Sequence, residues 1–349
     1  MAEDTKSKGH NGVTGLPQDV LLAVLRHTEF QSLLHATHVC RRWRETALSF
    51  PAALWSDIRS SCRIPGALLA QLERAQNAPV SINISTQSPY EHLVAEAMMA
   101  IVAHIHHVKS LSIDITHHDM MIDEDERLPL DYYAMHYLST VPAAPILKTL
   151  SLTLMFFLPD EDDWSPQPVA RLPSNIFGGS APVLSYVVLK GMIQLPTQCP
   201  AFATAVSLEV STLNATSKQI TALDVVFPAL ESLDLTIEHE LRLPSQRSSL
   251  KLAKLIVRPP PWTEDSAALL RHFPCEAAQH VGFVWFAGWF DVLWPPETRN
   301  KVAPFTLSKE NRNMVWIIRD GTGRTVTVNN VPRGATVPPG LQDNLVESF

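Results

Sequence analysis

Glycine is in short supply, 13 residues against 27 prolines in a chain of 349. Scarce glycine disfavours folds built on glycine-rich phosphate loops, and no Gly-Lys-Ser/Thr run follows Gly321, Thr322 and Gly323. Abundant proline breaks a chain into many short elements. Charge is thin as well: Asp, Glu, Lys and Arg make 18% of the residues, and acids outnumber bases 35 to 28. A net charge of −7 excludes nucleic acid as the main partner, because phosphate binding needs a Lys/Arg surplus. With 46% hydrophobic residues the chain is not a disordered one. Long apolar runs are missing. The longest, 281–294, is broken by Asp291 and falls short of the ~20 residues a membrane helix needs. The polar stretch 1–15 contains no apolar signal region. Four scattered cysteines (Cys40, Cys62, Cys199, Cys275) form no CxxC pair, so they indicate neither a zinc knuckle nor a disulfide framework. A soluble protein of the cytoplasm or nucleus is expected, without cofactor or metal.

What is present begins at Leu16. Pro17 suits a first helical position and Asp19 the positive end of a helix, with Val20, Leu21, Val24 and Leu25 on one apolar face. Ser32 reads as the N-cap of a second helix, and a third runs from Cys40 to Ser49, stopped by Pro51. Three short helices bury too little surface to stand alone, so the unit must lean on the rest of the chain or on a partner.

These residues resemble the F-box. Leu16-Pro17-Gln18-Asp19-Val20-Leu21 is similar to its opening Leu-Pro-x-Glu-Leu-Leu, and Val24-Leu25 falls on its Ile-Phe position. Ser32-Leu33-Leu34 falls on Asp-Leu-Leu. Val39-Cys40-Arg41-Arg42-Trp43-Arg44 matches Val-Cys-Arg-x-Trp, and Leu54-Trp55 the terminal Leu-Trp. Asp19 replaces the commoner Glu, and Thr28 stands where the family has Leu, with Phe30 beside it to fill the gap. The resemblance implies docking on the Skp adaptor of a cullin–RING ubiquitin ligase, through Leu16, Pro17, Asp19, Val20, Leu21, Val24, Leu33, Val39, Cys40 and Trp43. The rest of the chain would then hold an unknown protein substrate, and the chain would be a receptor rather than an enzyme. Alternatives are an adaptor-binding scaffold without a ubiquitination role, or an enzyme with an unrecognised site.

Beyond the helices one pattern recurs: Leu111-Ser112-Ile113, Leu150-Ser151-Leu152, Leu208-Glu209-Val210, Leu233-Asp234-Leu235 and Leu255-Ile256-Val257. Alternation puts every second residue on a buried strand face. Spacings of about 20 to about 40 residues bracket the period of leucine-rich repeats. The expected fold is therefore α/β: three F-box helices, then an irregular leucine-rich-repeat-like solenoid of parallel strands with an antiparallel hairpin cap at 314–328. An α/β sheet of another topology is the alternative. The expected organisation is a disordered tail (1–14), an F-box (15–56), a substrate-recognition array (57–333) and a loose tail (334–349). The first strand is expected around 80–84. Helical returns are expected after a capping box at Ser88-Pro89-Tyr90-Glu91, over 131–138 and over 263–273. This proline-interrupted style resembles F-box proteins of mushroom-forming fungi.

Two acidic runs, Asp123-Glu124-Asp125-Glu126 and Asp160-Glu161-Asp162-Asp163, follow strands, and Glu238-His239-Glu240 follows a third. In a parallel array these ends share an edge. With Trp164 as an aromatic anchor, they form a candidate substrate rim that attracts a basic segment. His104, His106, His107, His117, His118 and Asp119 have no accompanying Cys or HExxH, and read as exposed element ends. Gly178-Gly179-Ser180 lacks the frame of a nucleophile elbow and reads as a loop.

Overall fold

A computed structural model describes residues 16–61, 66–86, 91–118, 130–157, 170–191, 193–211, 217–237, 243–258, 265–286, 288–310, 315–342 and 344–346. Helix α1 (Gln18–Arg26) starts one position later than expected, because Pro17 is its N-cap. Helix α2 (Phe30–Val39) starts two residues before Ser32, with Glu29 in the cap position. Phe30, half-buried at the start of the helix, packs edge-on against Trp55, 6.2 Å between centroids. Helix α3 (Arg41–Ser49) starts one residue after the expected Cys40, which takes the N-cap position with extended backbone. Pro51 does not merely stop α3; it opens a further turn, α4 (Pro51–Leu54).

The sheet begins immediately afterwards. Strand β1 (Asp57–Ser60) precedes the strand expected first, β2 (Val80–Thr86), with α5 (Ala67–Ala75) between them. There follow α6 (Glu91–His104), β3 (Val108–His118), α7 (Leu130–Thr140), β4 (Thr149–Phe157), β5 (Ala170–Arg171), β6 (Tyr186–Gly191), β7 (Ile193–Gln194), β8 (Ser207–Ser211), α8 (Ser217–Val226), β9 (Ser232–Thr236), β10 (Lys254–Arg258), α9 (Asp265–His272) and β11 (His280–Val284). The chain closes with α10 (Trp289–Leu293), α11 (Pro296–Val302), β12 (Thr306–Glu310), β13 (Val315–Arg319), β14 (Thr325–Asn329) and α12 (Pro339–Gln342). The fold is mixed α/β around a large, mostly parallel sheet. Its order is β1-β2-β3-β4-β6-β8-β9-β10-β11-β14-β13-β12, with β5 and β7 paired apart. Every pairing from β1 to β14 is parallel, and β12, β13 and β14 form an antiparallel end.

The local cause of this regularity is a turn repeated ahead of the strands. The backbone N–H three residues on bonds back to Ala144, Ala181, Phe202, Phe227 and Cys275, at Leu147, Leu184, Ala205, Leu230 and Ala278. Just after it, the backbone donates to the preceding unit: Lys148 to Lys109 (2.8 Å), Val206 to Ser185 (3.0 Å), Glu231 to Val206 (2.9 Å), Ala253 to Glu231 (2.7 Å) and Gln279 to Ala253 (2.8 Å). The next residues alternate, and the inward ones (Leu150, Leu152, Leu154, Leu233, Leu235, Leu255 and Val257) are fully buried under the returns. Helix α5 packs on α6 and α6 on α7. At Gly191 (φ +97°) β6 comes so close to β4 that a Cβ would lie 1.7 Å from the Leu154 carbonyl oxygen.

Some expectations lie outside the described residues and others need correction. The capping box at 88–90 lies outside the described residues, as does Thr263. The apolar run 281–294 is two elements, β11 and α10, separated at Gly288 (φ +76°). The tail from Gly334 is not loose: Leu341 is fully buried, and Leu345 bridges Phe305 in parallel. Among the described residues no helix is long and apolar enough to cross a membrane.

Candidate partner-docking site

The helical unit sorts its apolar residues into two sets. Leu21 and Leu25 of α1, Leu33 and Ala36 of α2, Ala47 of α3 and Trp55 are core. Leu21 and Leu33, expected to touch a partner, are thus corrected to core residues: helical spacing alone does not say which of two adjacent leucines faces inward. Val20 (41% exposed) and Val24 (43%) stand one turn apart on the outer face of α1, and Val39 (63%) ends α2. Pro17 and Asp19 are exposed; Leu16, Cys40 and Trp43 are half-buried. The Trp43 indole nitrogen is shielded and has no hydrogen-bond partner among the described residues.

The basic residues of the Val-Cys-Arg-Arg-Trp-Arg run are partly used internally. Arg42 donates to the Leu16 carbonyl, and Arg44 Nε to the Thr37 carbonyl at 2.9 Å, so α3 ties down the start of α1 and the end of α2. Thr28 is half-buried and donates its hydroxyl to the Leu25 carbonyl (2.7 Å), which closes α1 where an apolar residue was expected. Trp55 joins the unit to the sheet: its Nε1 donates to the Ala47 carbonyl (2.8 Å), and the Arg74 guanidinium of α5 lies 5.5 Å from its ring.

The other expected sites fare differently. Strands β3, β4 and β9 run parallel, so their C-terminal ends share an edge. Residues 123–126, 160–163, 238–240 and Trp164 themselves lie outside the described residues. The histidines at the end of α6 do meet, and His107 is buried rather than an exposed end. The hydroxyl of Ser248 donates to Asp224 directly (2.7 Å) while the His272 carbonyl accepts from the Ser248 backbone, which is a structural tie and not a nucleophile–base order. Gly178 sits in a left-handed turn (φ +56°) pressed on the Pro142 carbonyl. Burial pushes the Cys199 thiol up to about 11 and the Cys275 thiol to about 12.

One group of residues was overlooked: the outward half of the strand alternation. Asp57, Ser81, Ser110, Thr149, Tyr186, Ser207, Ser232, Lys254, His280 and Thr325 form one row across the sheet, register to register. In the next row Glu209 stands opposite Asp234, a like-charge pairing that costs energy unless it is compensated. Compensation comes from both sides: Lys190 reaches Glu209 (2.8 Å), Tyr186 donates to it (3.0 Å), and Arg258 forks onto both Asp234 oxygens. The Lys190 contact is the largest influence holding the Glu209 carboxyl below its ordinary range. The signal was available in the polar middle residues Ser112, Ser151, Glu209 and Asp234 of four of the five triplets.

The architecture is therefore a small helical unit with an outward apolar face, built onto one edge of a mostly parallel sheet whose polar face is open. Residues 13–61 match the F-box-like family model, so the chain carries an F-box-like domain, and β1 falls within it. An F-box-like domain points to Skp binding in ligases of the Skp–cullin–F-box type, generally as a non-catalytic component. No curated protein matches the chain.

Proposed function

We propose that this protein is a substrate receptor of a Skp–cullin–F-box ubiquitin ligase, acting in the cytoplasm or nucleus. Its F-box-like helices dock the Skp adaptor, and its sheet, a leucine-rich-repeat type of array, holds the substrate. The observation that carries the reading is the F-box-like match together with Val20, Val24 and Val39, apolar side chains left outside a core that their neighbours Leu21, Leu25 and Leu33 fill. Exposed apolar residues on a small helical unit are the mark of a helix-docking surface. No bond chemistry is assigned to the chain; its contribution is to raise the effective concentration of a substrate lysine near the conjugating enzyme. The substrate meets the outward polar face of the sheet, and the acidic runs 123–126 and 160–163, which follow β3 and β4 in the sequence, select a basic segment.

The test is co-purification with Skp adaptor and cullin. Full-length wild type is expected to capture both. Val20→Glu with Val24→Glu is expected to lose capture at least about tenfold, since two charges would be buried at an apolar contact, with far-UV circular dichroism unchanged. Undiminished capture by the folded double variant would overturn the docking assignment.

A further inference from the structure

The turn after α6 holds three histidines, and two of them are hydrogen-bonded to each other. His107 Nδ1 lies 2.8 Å from the Ala78 carbonyl oxygen in the turn leading into β2, and His107 Nε2 lies 3.0 Å from His104 Nδ1. His107 is only 3% exposed, and the His106 ring stands 4.8 Å from its ring, centroid to centroid. A carbonyl only accepts, so His107 Nδ1 carries a proton. Neutral His107 then accepts from His104 at Nε2.

We propose that His104, His107 and the Ala78 carbonyl form an acid-sensitive latch between the end of α6 and the start of β2. One added proton is accommodated, since a single proton can still lie between the two facing nitrogens, donated by one ring and accepted by the other. A second proton places two N–H groups head to head at 3.0 Å, between a buried and a half-buried ring, so the pair must part. The titratable groups facing His104 are His106 and His107 of its own turn and Glu73 of α5. Burial, then the neighbouring histidines, hold the His104 imidazole below its ordinary range, and Glu73 pulls the other way. The sign follows: the closed form disfavours the proton, so the latch has full strength above the ordinary histidine value and weakens as pH falls through it. This inference does not depend on the docking assignment.

Hydrogen exchange of the full chain tests it, read as opening constants for residues 76–86 and 104–111. Between about pH 7.5 and about pH 4.5 the wild-type opening constant is expected to rise by up to about tenfold for each unit below about 6.5. His104→Asn leaves an amide at the Nδ1 position that can donate or accept, so its profile is expected to stay flat. His107→Asn keeps the Ala78 contact and deletes the pair, and is expected to be flat also. A wild-type profile that does not rise, or variant profiles that rise with it, would overturn the latch. Should either variant fold poorly, side-chain NMR of the wild type decides: two separated proton steps support the latch, and simultaneous ordinary titration refutes it.

Discussion

Removing the Trp55 indole is expected to loosen the N-terminal helices from the sheet, and the size of the effect follows from what the ring does. In an unbroken helix the Ala47 carbonyl would accept from residue 51. That residue is proline and has no N–H, so the carbonyl at the end of α3 lacks its regular helical donor. The indole supplies the missing donor at 2.8 Å, while the ring is 2% exposed, contacts Phe30 edge-on and carries Arg74 on its face. Trp55→Ala loses the buried ring, about 3–5 kcal/mol, and the hydrogen bond, about 1 kcal/mol. Trp55→Phe keeps most of the packing but strands the carbonyl, about 1–3 kcal/mol. Against a total stability of about 5–15 kcal/mol the first change is severe and the second moderate. Urea unfolding followed by far-UV circular dichroism measures both, and hydrogen exchange in α3 localises them. A cost below about 1 kcal/mol for Trp55→Ala, or an equal cost for the two variants, would refute the reasoning, since the order depends on separating the ring from its N–H.

Leu21→Ala is expected to cost about 2–5 kcal/mol in urea unfolding, whereas Val20→Ala, one residue away, should change stability little and adaptor capture more. Gly191→Ala should be strongly destabilising, at least about 2 kcal/mol in the same assay, because it combines a left-handed φ with a collision on the Leu154 carbonyl. Lys190→Met is expected to raise the Glu209 carboxyl toward its ordinary value, seen by carbon NMR. It should cost no more than about 1 kcal/mol above pH ~5, because the pair is partly exposed. Cys199 and Cys275 should resist a maleimide at pH ~8 in the native protein and react only on unfolding, as their raised thiols leave little thiolate.

Much of the sheet could be read from the chain because its signal is local. A Leu-x-Leu triplet after a proline or alanine turn specifies a buried strand face by alternation alone, and the triplets at Leu150, Leu208, Leu233 and Leu255 are each strands. Strand β1 escaped because it is four residues long with a single buried member, Ile58. Strand β11 escaped for the opposite reason: Val281, Gly282 and Phe283 are all buried, so alternation vanishes into an apolar run. The F-box-like helices were legible as a motif, but their inner and outer residues were not. Leu21 and Val20 are equally apolar, and only the direction from which α3 approaches decides which is core. The paired charges on the open face depend on register between strands far apart in sequence, which no local pattern encodes.

Strand β1 belongs both to the F-box-like region and to the edge of the large sheet. The two are therefore continuous through β1, and positions on the sheet can be counted in strands from its helical end. Neighbouring strands stand about 4.8 Å apart, so the charged group on β6 and β8 lies some 20–25 Å along the sheet from β1, and β12 about 50 Å. Adding or deleting one strand-and-return unit would move everything beyond it by a single graduation while leaving the register rows intact. The distance from the helical unit to any group on the sheet would then be set in steps of one strand, and a set of such chains could differ in span by the number of units alone.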